Sequence, residues 1–165
     1  MDLIIDGYNL IGSEQGLSGS LEHKRNRLIQ QIAAYQRRKS FNLIVVFDGW
    51  RAGQARETKE KRDGITIVYS RLGERADGVI VRMAREKGNG SVVITSDREI
   101  RRAVERFGAV AVYAEEFNEI LRTLDGVQME DCFDDSEMKS SYSVGRNRLS
   151  KSDRRRLEKL EKLRL

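Results

Sequence analysis

Three features of this chain predict an α/β fold built on a mainly parallel sheet. Short apolar runs alternate with amphipathic helical stripes over residues 2–124. The run Leu43-Ile44-Val45-Val46-Phe47 is apolar at every position, as in a strand buried on both faces. Asp6 and Asp48 stand directly after such runs, and Asp97 after Val92-Val93-Ile94-Thr95-Ser96, at the carboxyl ends of predicted strands. Strands alternating with helices form βαβ units, and such units place helices on both faces of the sheet.

The first strand is read near residues 2–6, followed by a Gly/Ser-rich loop carrying Gly12, Gly16, Ser18 and Gly19. A long helix follows from Leu21 to about Lys39, with Leu21, Leu28, Ile32 and Tyr35 on one face and Ser20 as its N-cap. After the strand at 43–47, residues 49–64 are polar and basic, with Arg51, Arg56, Lys59, Lys61 and Arg62 ahead of Asp63-Gly64. That segment reads as a loop or a short exposed helix. The strand at 65–69 leads through Gly73 to a helix near 75–87, striped by Ala76, Val79, Ile80, Met83 and Ala84 and ended by Gly88. A strand at 92–95 precedes a helix near 98–107 with Ile100, Ala103, Val104 and Phe107 in helical spacing. A strand at 109–113 and a helix near 115–124, carrying Phe117, Ile120, Leu121 and Leu124, complete the domain.

Beyond Leu124 the composition changes. Residues 125–138 carry six acids and no Lys or Arg, and Ser140–Gly145 reads as a linker. Residues 146–165 carry nine Lys/Arg against three acids, and Leu157, Leu160 and Leu163 recur in a pattern that fits a short basic helix capped by Ser152-Asp153. The organisation expected is therefore a domain over 1–124, then an acidic linker and a basic tail or helix over 125–165.

Composition narrows the chemistry. The chain has 165 residues, 39% hydrophobic and 35% charged, and a formal net charge of +5, so a polyanionic partner suits it. The single cysteine, Cys132, lies among acids that disfavour a thiolate, and the single histidine, His23, lies in a charged helical pattern. Zinc sites built from Cys and His are excluded, and any metal would take oxygen ligands, which favours Mg²⁺ or Mn²⁺. There is no G-x-x-x-x-G-K-[ST] and no G-x-G-x-x-G phosphate loop. A phospho-receiver domain would want a lysine at a later strand end, where this chain has Val112-Tyr113. No apolar stretch is long enough to span a membrane, and a cytoplasmic location is expected.

The aspartates carry the functional reading. In open parallel sheets, ligands bind beyond the carboxyl ends of the strands. Asp6, Asp48 and Asp97 are predicted there, and Asp77 opens the helix near 75–87. Each has an ordinary alternative: Asp97 as a helix cap, Asp48-Gly49 as a turn, Asp77 as a first-turn acid favouring the helix dipole. Gathered at one edge, however, their charges repel unless a cation holds them. Carboxylate-bound Mg²⁺ or Mn²⁺ lowers the pKa of water and offsets charge on a phosphodiester, so no histidine or activated serine is needed. Asn9 and Ser96, with Thr95, are candidates to orient a carboxylate or contact a phosphate. Glu74 and Asp77 compete for one ligand position.

The segments Ile4-Ile5-Asp6-Gly7-Tyr8-Asn9-Leu10, Val46-Phe47-Asp48-Gly49, Gly73-Glu74-Arg75-Ala76-Asp77 and Ile94-Thr95-Ser96-Asp97 resemble, in order and spacing, the signature of the YacP-like NYN family of PIN-like ribonucleases. The resemblance implies a PIN-like three-layer α/β/α sandwich and metal-dependent endoribonuclease activity. It places Asp6, Asp77 and Asp97 in the metal-binding set, with Asp48 beside them and Asn9 in support. It also implies a link to translation, because a member of the family acts as a ribosome-associated endoribonuclease on messenger RNA. The resulting expectation is cleavage of single-stranded RNA. Arg51, Arg71, Arg75 and the tail residues Arg154, Arg155 and Arg156 would contact phosphates, and Trp50 or Tyr8 would stack on a base. The competing expectations are a non-catalytic RNA- or ribosome-binding module and a different metal-dependent phosphoesterase.

Overall fold

The computed structural model describes residues 1–49, 56–124 and 150–164. Trp50, Arg51, Cys132 and the acidic and Ser-rich segments expected over 125–145 lie outside the described residues.

The alternating apolar runs and helical stripes become a six-stranded sheet flanked by helices on both faces. The strands are β1 (Asp2–Asp6), β2 (Asn42–Phe47), β3 (Thr58–Arg62), β4 (Ile65–Tyr69), β5 (Ser91–Ile94) and β6 (Val110–Val112), in spatial order β3-β4-β2-β1-β5-β6. All neighbours are parallel except β3, which pairs antiparallel with β4. β1 is therefore central, and Asp6 emerges at the middle of the carboxyl edge.

Side-chain alternation divides each buried strand between two cores. Leu3, Ile5, Leu43, Val45, Phe47, Ile67, Val92, Ile94 and Val112 face helices α1 (Gly7–Gln15), α2 (Leu21–Arg38) and α5 (Ala114–Leu124). Ile4, Ile44, Val46, Val68 and Val93 face α3 (Ala76–Lys87) and α4 (Arg98–Arg106) on the other side. This double burial explains why the central strands read as unbroken apolar runs.

Most helix ends follow local chemistry. Ser20 caps α2 by accepting the His23 N–H at 3.3 Å, and Gly88, at φ 55°, ends α3. In α4, Ile100 and Val104 are buried, but Phe107 ends the helix with 38% of its surface exposed.

Three expectations change. The glycine-rich loop after β1 is confined to residues 16–20, because α1 starts directly at Gly7 and buries Tyr8, Leu10 and Ile11. Gly12 sits inside α1, where burial of its neighbours offsets the modest cost of a helical glycine. Residues 58–62, read as loop or exposed helix, form strand β3. Asp63 and Gly64 both adopt positive φ, 52° and 83°, the tight hairpin geometry that pairs this polar segment with β4. At the C-terminus, helix α6 (Lys151–Leu163) is capped by Ser150 rather than Ser152-Asp153: Ser150 Oγ accepts the Asp153 N–H at 3.1 Å and donates to Asp153 Oδ2 at 2.7 Å.

α6 also packs into the α1/α2/α5 core instead of trailing in solvent. Leu160 and Leu163 are buried, the Leu163 carbonyl accepts from the buried Tyr35 hydroxyl at 2.8 Å, and the start of the helix lies along β6. Covering an open sheet edge in this way removes a template for strand pairing. Among the described residues, no helix is long and apolar enough to cross a membrane.

Candidate active site

Asp6 is the centre of the carboxyl edge, and its surroundings hold it in one orientation. It caps α1, with Oδ1 accepting the Asn9 N–H at 3.2 Å, while Oδ2 accepts from the Thr95 hydroxyl at 3.2 Å. Only 7% of the residue is exposed. Burial, reinforced by the charges of Asp77 and Asp48, raises its pKa to about 7, against the opposing effect of its two hydrogen bonds. Asp77 is also pushed up, by burial first and then by the charges of Asp48 and Asp97. The charges of Asp48, Asp77 and Asp97 thus act on one another and on Asp6 at this edge.

Asp48 and Asp97, like Asp6, also cap helices. Asp48 Oδ1 accepts the Ala76 N–H at 2.7 Å, so it caps α3 from 28 residues away; the residue in the N-cap position, Arg75, makes no side-chain cap. Asp97 Oδ1 caps α4 through the Glu99 and Ile100 N–H groups, at 2.7 and 3.1 Å. The capping alternative foreseen for Asp97 is therefore present alongside the cluster. With Asp6 on α1, three helix N-termini converge on the acids, and their positive dipole ends partly offset the like-charge repulsion.

The remaining candidates separate. Asn9 Oδ1 accepts the Ser96 N–H at 2.8 Å and so holds the β5–α4 turn that carries Asp97. The Ser96 hydroxyl points elsewhere: it donates to Glu115 and accepts the Ala114 N–H at the start of α5. The hydroxyl that reaches Asp6 belongs to Thr95. Glu74 is engaged by cations, paired with Arg71 at 3.1 Å and Arg82 at 2.7 Å. Together with Arg56 and Glu57 these side chains line a cleft of about 520 Å³. Arg75 is exposed beside Asp77 and partly offsets its raised pKa. Arg154 is exposed on α6. Arg155 and Arg156 hold that helix in place, through the Gly108 carbonyl at 2.9 Å and Glu116 at 2.7 Å respectively.

Two supporting contacts had no signal in the sequence. Buried Ser70 accepts the Gly49 N–H at 3.0 Å and donates its own N–H to the Phe47 carbonyl, tying the end of β4 to the end of β2. Arg25 donates to the Tyr8 hydroxyl at 2.7 Å, and Tyr8 meets Phe47 edge to face at 5.2 Å. Tyr8 is 7% exposed, which assigns its ring to packing rather than to an open stacking surface.

Gly7 explains how closely this packing approaches Asp6. A Cβ on Gly7 would lie 2.2 Å from the Phe47 ring. Gly7→Ala is expected to cost about 1–3 kcal/mol by overpacking, measured as a lower urea midpoint. An unchanged midpoint would show that the Phe47 ring moves aside freely.

The chain matches the model of the YacP-like NYN domain over residues 3–164. It is 31% identical over 133 residues to the uncharacterized protein YacP of Bacillus subtilis (strain 168), covering 76% of each chain. Its fold is similar to the crystal structure of Rae1 (YacP) from Bacillus subtilis, with a TM-score of 0.62 at 29% identity over 76% of both chains. A tryptophan-to-leucine mutant of that same protein superposes with a TM-score of 0.63 at 28% identity, over 76% of this chain and 77% of that one. Matched over nearly its whole length, the chain belongs to the YacP-like NYN domain family, which places its function in the nuclease-type, RNA-related class.

Proposed function

We propose that this protein is a Mg²⁺- or Mn²⁺-dependent endoribonuclease that cuts single-stranded RNA, specifically messenger RNA in association with the ribosome. The observation that carries the reading is Asp6: a buried carboxylate at the centre of a parallel-sheet edge, pressed by Asp77 and Asp48 so that its charged form lacks compensation. The donor set is all oxygen, which suits a hard divalent cation. Among the described residues, no three His, Cys, Asp or Glu side chains converge as a ready cage. Mg²⁺ is compatible with that arrangement, because it commonly takes one or two carboxylates and completes its shell with water and substrate phosphate.

In this reading Asp6 and Asp77 would hold the cation, with Asp97 and Asp48 in support. Asp77 is favoured over Glu74, whose oxygens are engaged by Arg71 and Arg82. The bound cation would lower the pKa of water and offset charge developing on the phosphodiester. The chain's own residues fix the frame. Thr95 and the Asn9 N–H aim the Asp6 carboxylate, the Asn9 side chain holds the turn bearing Asp97, and Asp48 holds the α3 N-terminus bearing Asp77. Arg75, exposed beside Asp77, would attract the phosphate. The ribosome enters through the family resemblance, and the net charge of +5 supports an RNA-rich partner.

The structural use of Asp48 and Asp97 as caps favours a second reading, an RNA-binding module without catalysis. A defined messenger RNA, offered with and without active translation, separates the two. Cleavage that requires Mg²⁺ or Mn²⁺ and stops with chelator is expected. Binding without cleavage under every condition would establish the module, and equal cleavage of single-stranded DNA would point to a broader phosphoesterase.

A further inference from the structure

One turn beyond Asp97, on α4, Arg101 lies in an unusual setting. Its guanidinium sits 3.8 Å from the centre of the Tyr113 ring, close stacking for a cation on an aromatic face. Its Nε is buried without a hydrogen-bond partner, and among the described residues no carboxylate lies within ion-pair distance of it. A second guanidinium, that of Arg156 from the docked helix α6, lies over the same ring at 5.1 Å. Only Arg156 is neutralised: Glu116 Oε1 accepts from it at 2.7 Å, while Glu116 Oε2 accepts the Tyr113 N–H at 3.1 Å.

Two guanidiniums sharing one ring repel each other, and one carboxylate offsets only one of them. The half-buried Arg101 thus makes no ion pair among the described residues and is held rigid by stacking, and its terminal nitrogens, rather than the buried Nε, are the donors left for a ligand. It is separated from Asp97 by one helical turn, about 6 Å along the axis. An anion with several acceptor oxygens would satisfy it, and a phosphodiester fits both the charge and the fork of donors.

We propose that Arg101, held over Tyr113 and joined there by Arg156 from α6, binds a phosphate of an RNA strand running past Asp97. The subsite rests on the ribonuclease reading, and it gives the docked helix a role in RNA binding: α6 completes the subsite by supplying Arg156. The Arg156–Glu116 pair then serves docking and substrate binding together.

The test measures binding of a labelled single-stranded oligoribonucleotide across a salt series, in full-length protein carrying Asp6→Asn so that nothing is cut. Adding Arg101→Gln is expected to weaken binding about tenfold and to reduce the slope of log affinity against log salt by about 0.7, the share of one phosphate contact on a single strand. Arg85→Gln removes the same charge near the far end of α3, beside Phe107, and is expected to change affinity less than about twofold. If Arg101→Gln lacks a cooperative thermal transition, Arg101→Lys replaces it: charge and slope are then retained while loss of the fork and stack weakens binding several-fold. An unchanged slope and affinity in Arg101→Gln overturns the proposal. So do equal losses in Arg85→Gln, and so does failure of the parent protein to bind RNA. If wild-type protein binds RNA but never cuts it, the nuclease reading falls, and the salt slope still decides the subsite.

Discussion

Asp6→Asn is expected to abolish RNA cleavage, by a factor of about a thousand or more, and at the same time to stabilise the protein at alkaline pH. The two effects have one cause. Asparagine keeps an oxygen for the Asn9 N–H but removes the charge that would hold the cation. It also removes the cost of burying that charge. The folded pKa of Asp6 is raised to about 7 from 3.8. Below pH 3.8 both folded and unfolded chains hold the proton, so the residue contributes nothing. Between 3.8 and about 7 the unfolded chain releases it first, and rising pH removes stability. Above about 7 the penalty is constant, at most on the order of 4 kcal/mol. The stability difference between variant and wild type should therefore be near zero at about pH 3, grow through this window and level off beyond it. Adding Mg²⁺ at about pH 8 should raise the melting temperature of wild type and leave the variant unmoved. A variant that still cuts RNA would refute the role of Asp6, and a pH-independent stability difference would refute the buried charge.

Deleting residues 150–165 is expected to be the most damaging change outside the site. A solvated tail would leave stability untouched. Here the deletion exposes the pockets of Leu160 and Leu163, strips the buried Tyr35 hydroxyl of its acceptor and uncovers the β6 edge. Burying two leucines is worth about 1.5–3 kcal/mol each, and an orphaned buried hydroxyl costs about 1–3 kcal/mol. A loss of about 4–9 kcal/mol is expected, a large fraction of the roughly 5–15 kcal/mol typical of a domain. Urea denaturation with a shared slope measures it. A midpoint within error of wild type would show that α6 is not part of the folded unit.

Much of the architecture was legible because it depends on short-range patterns. The all-apolar run at 43–47 became the buried strand β2, the stripe Ala76–Ala84 became the inner face of α3, and Ser20 capped α2 as its position suggests. Strand β3 was not legible, since Thr58–Arg62 has no apolar face; backbone pairing with β4, set by Asp63-Gly64, makes it a strand. α1 was obscured by glycines whose helical cost is outweighed by burial of Tyr8, Leu10 and Ile11. The docking of α6 was hidden because a basic helix with leucines at close intervals reads alike in solvent or against a core, and the strands and helices that receive it are far away in the chain.

At the site, the chain alone was enough to put Asp6, Asp48 and Asp97 at strand ends and Asp77 at a helix start, because hydrophobic periodicity locates those boundaries and parallel strands end on one edge. Folding decided the rest. It made Asp48 the cap of a helix 28 residues on, turned Glu74 toward Arg71 and Arg82, and assigned the hydroxyl at Asp6 to Thr95 rather than Ser96. It also raised the pKa of Asp6 toward neutrality. These properties depend on desolvation and on contacts between distant segments, and both come into being only when the sheet brings its strand ends together.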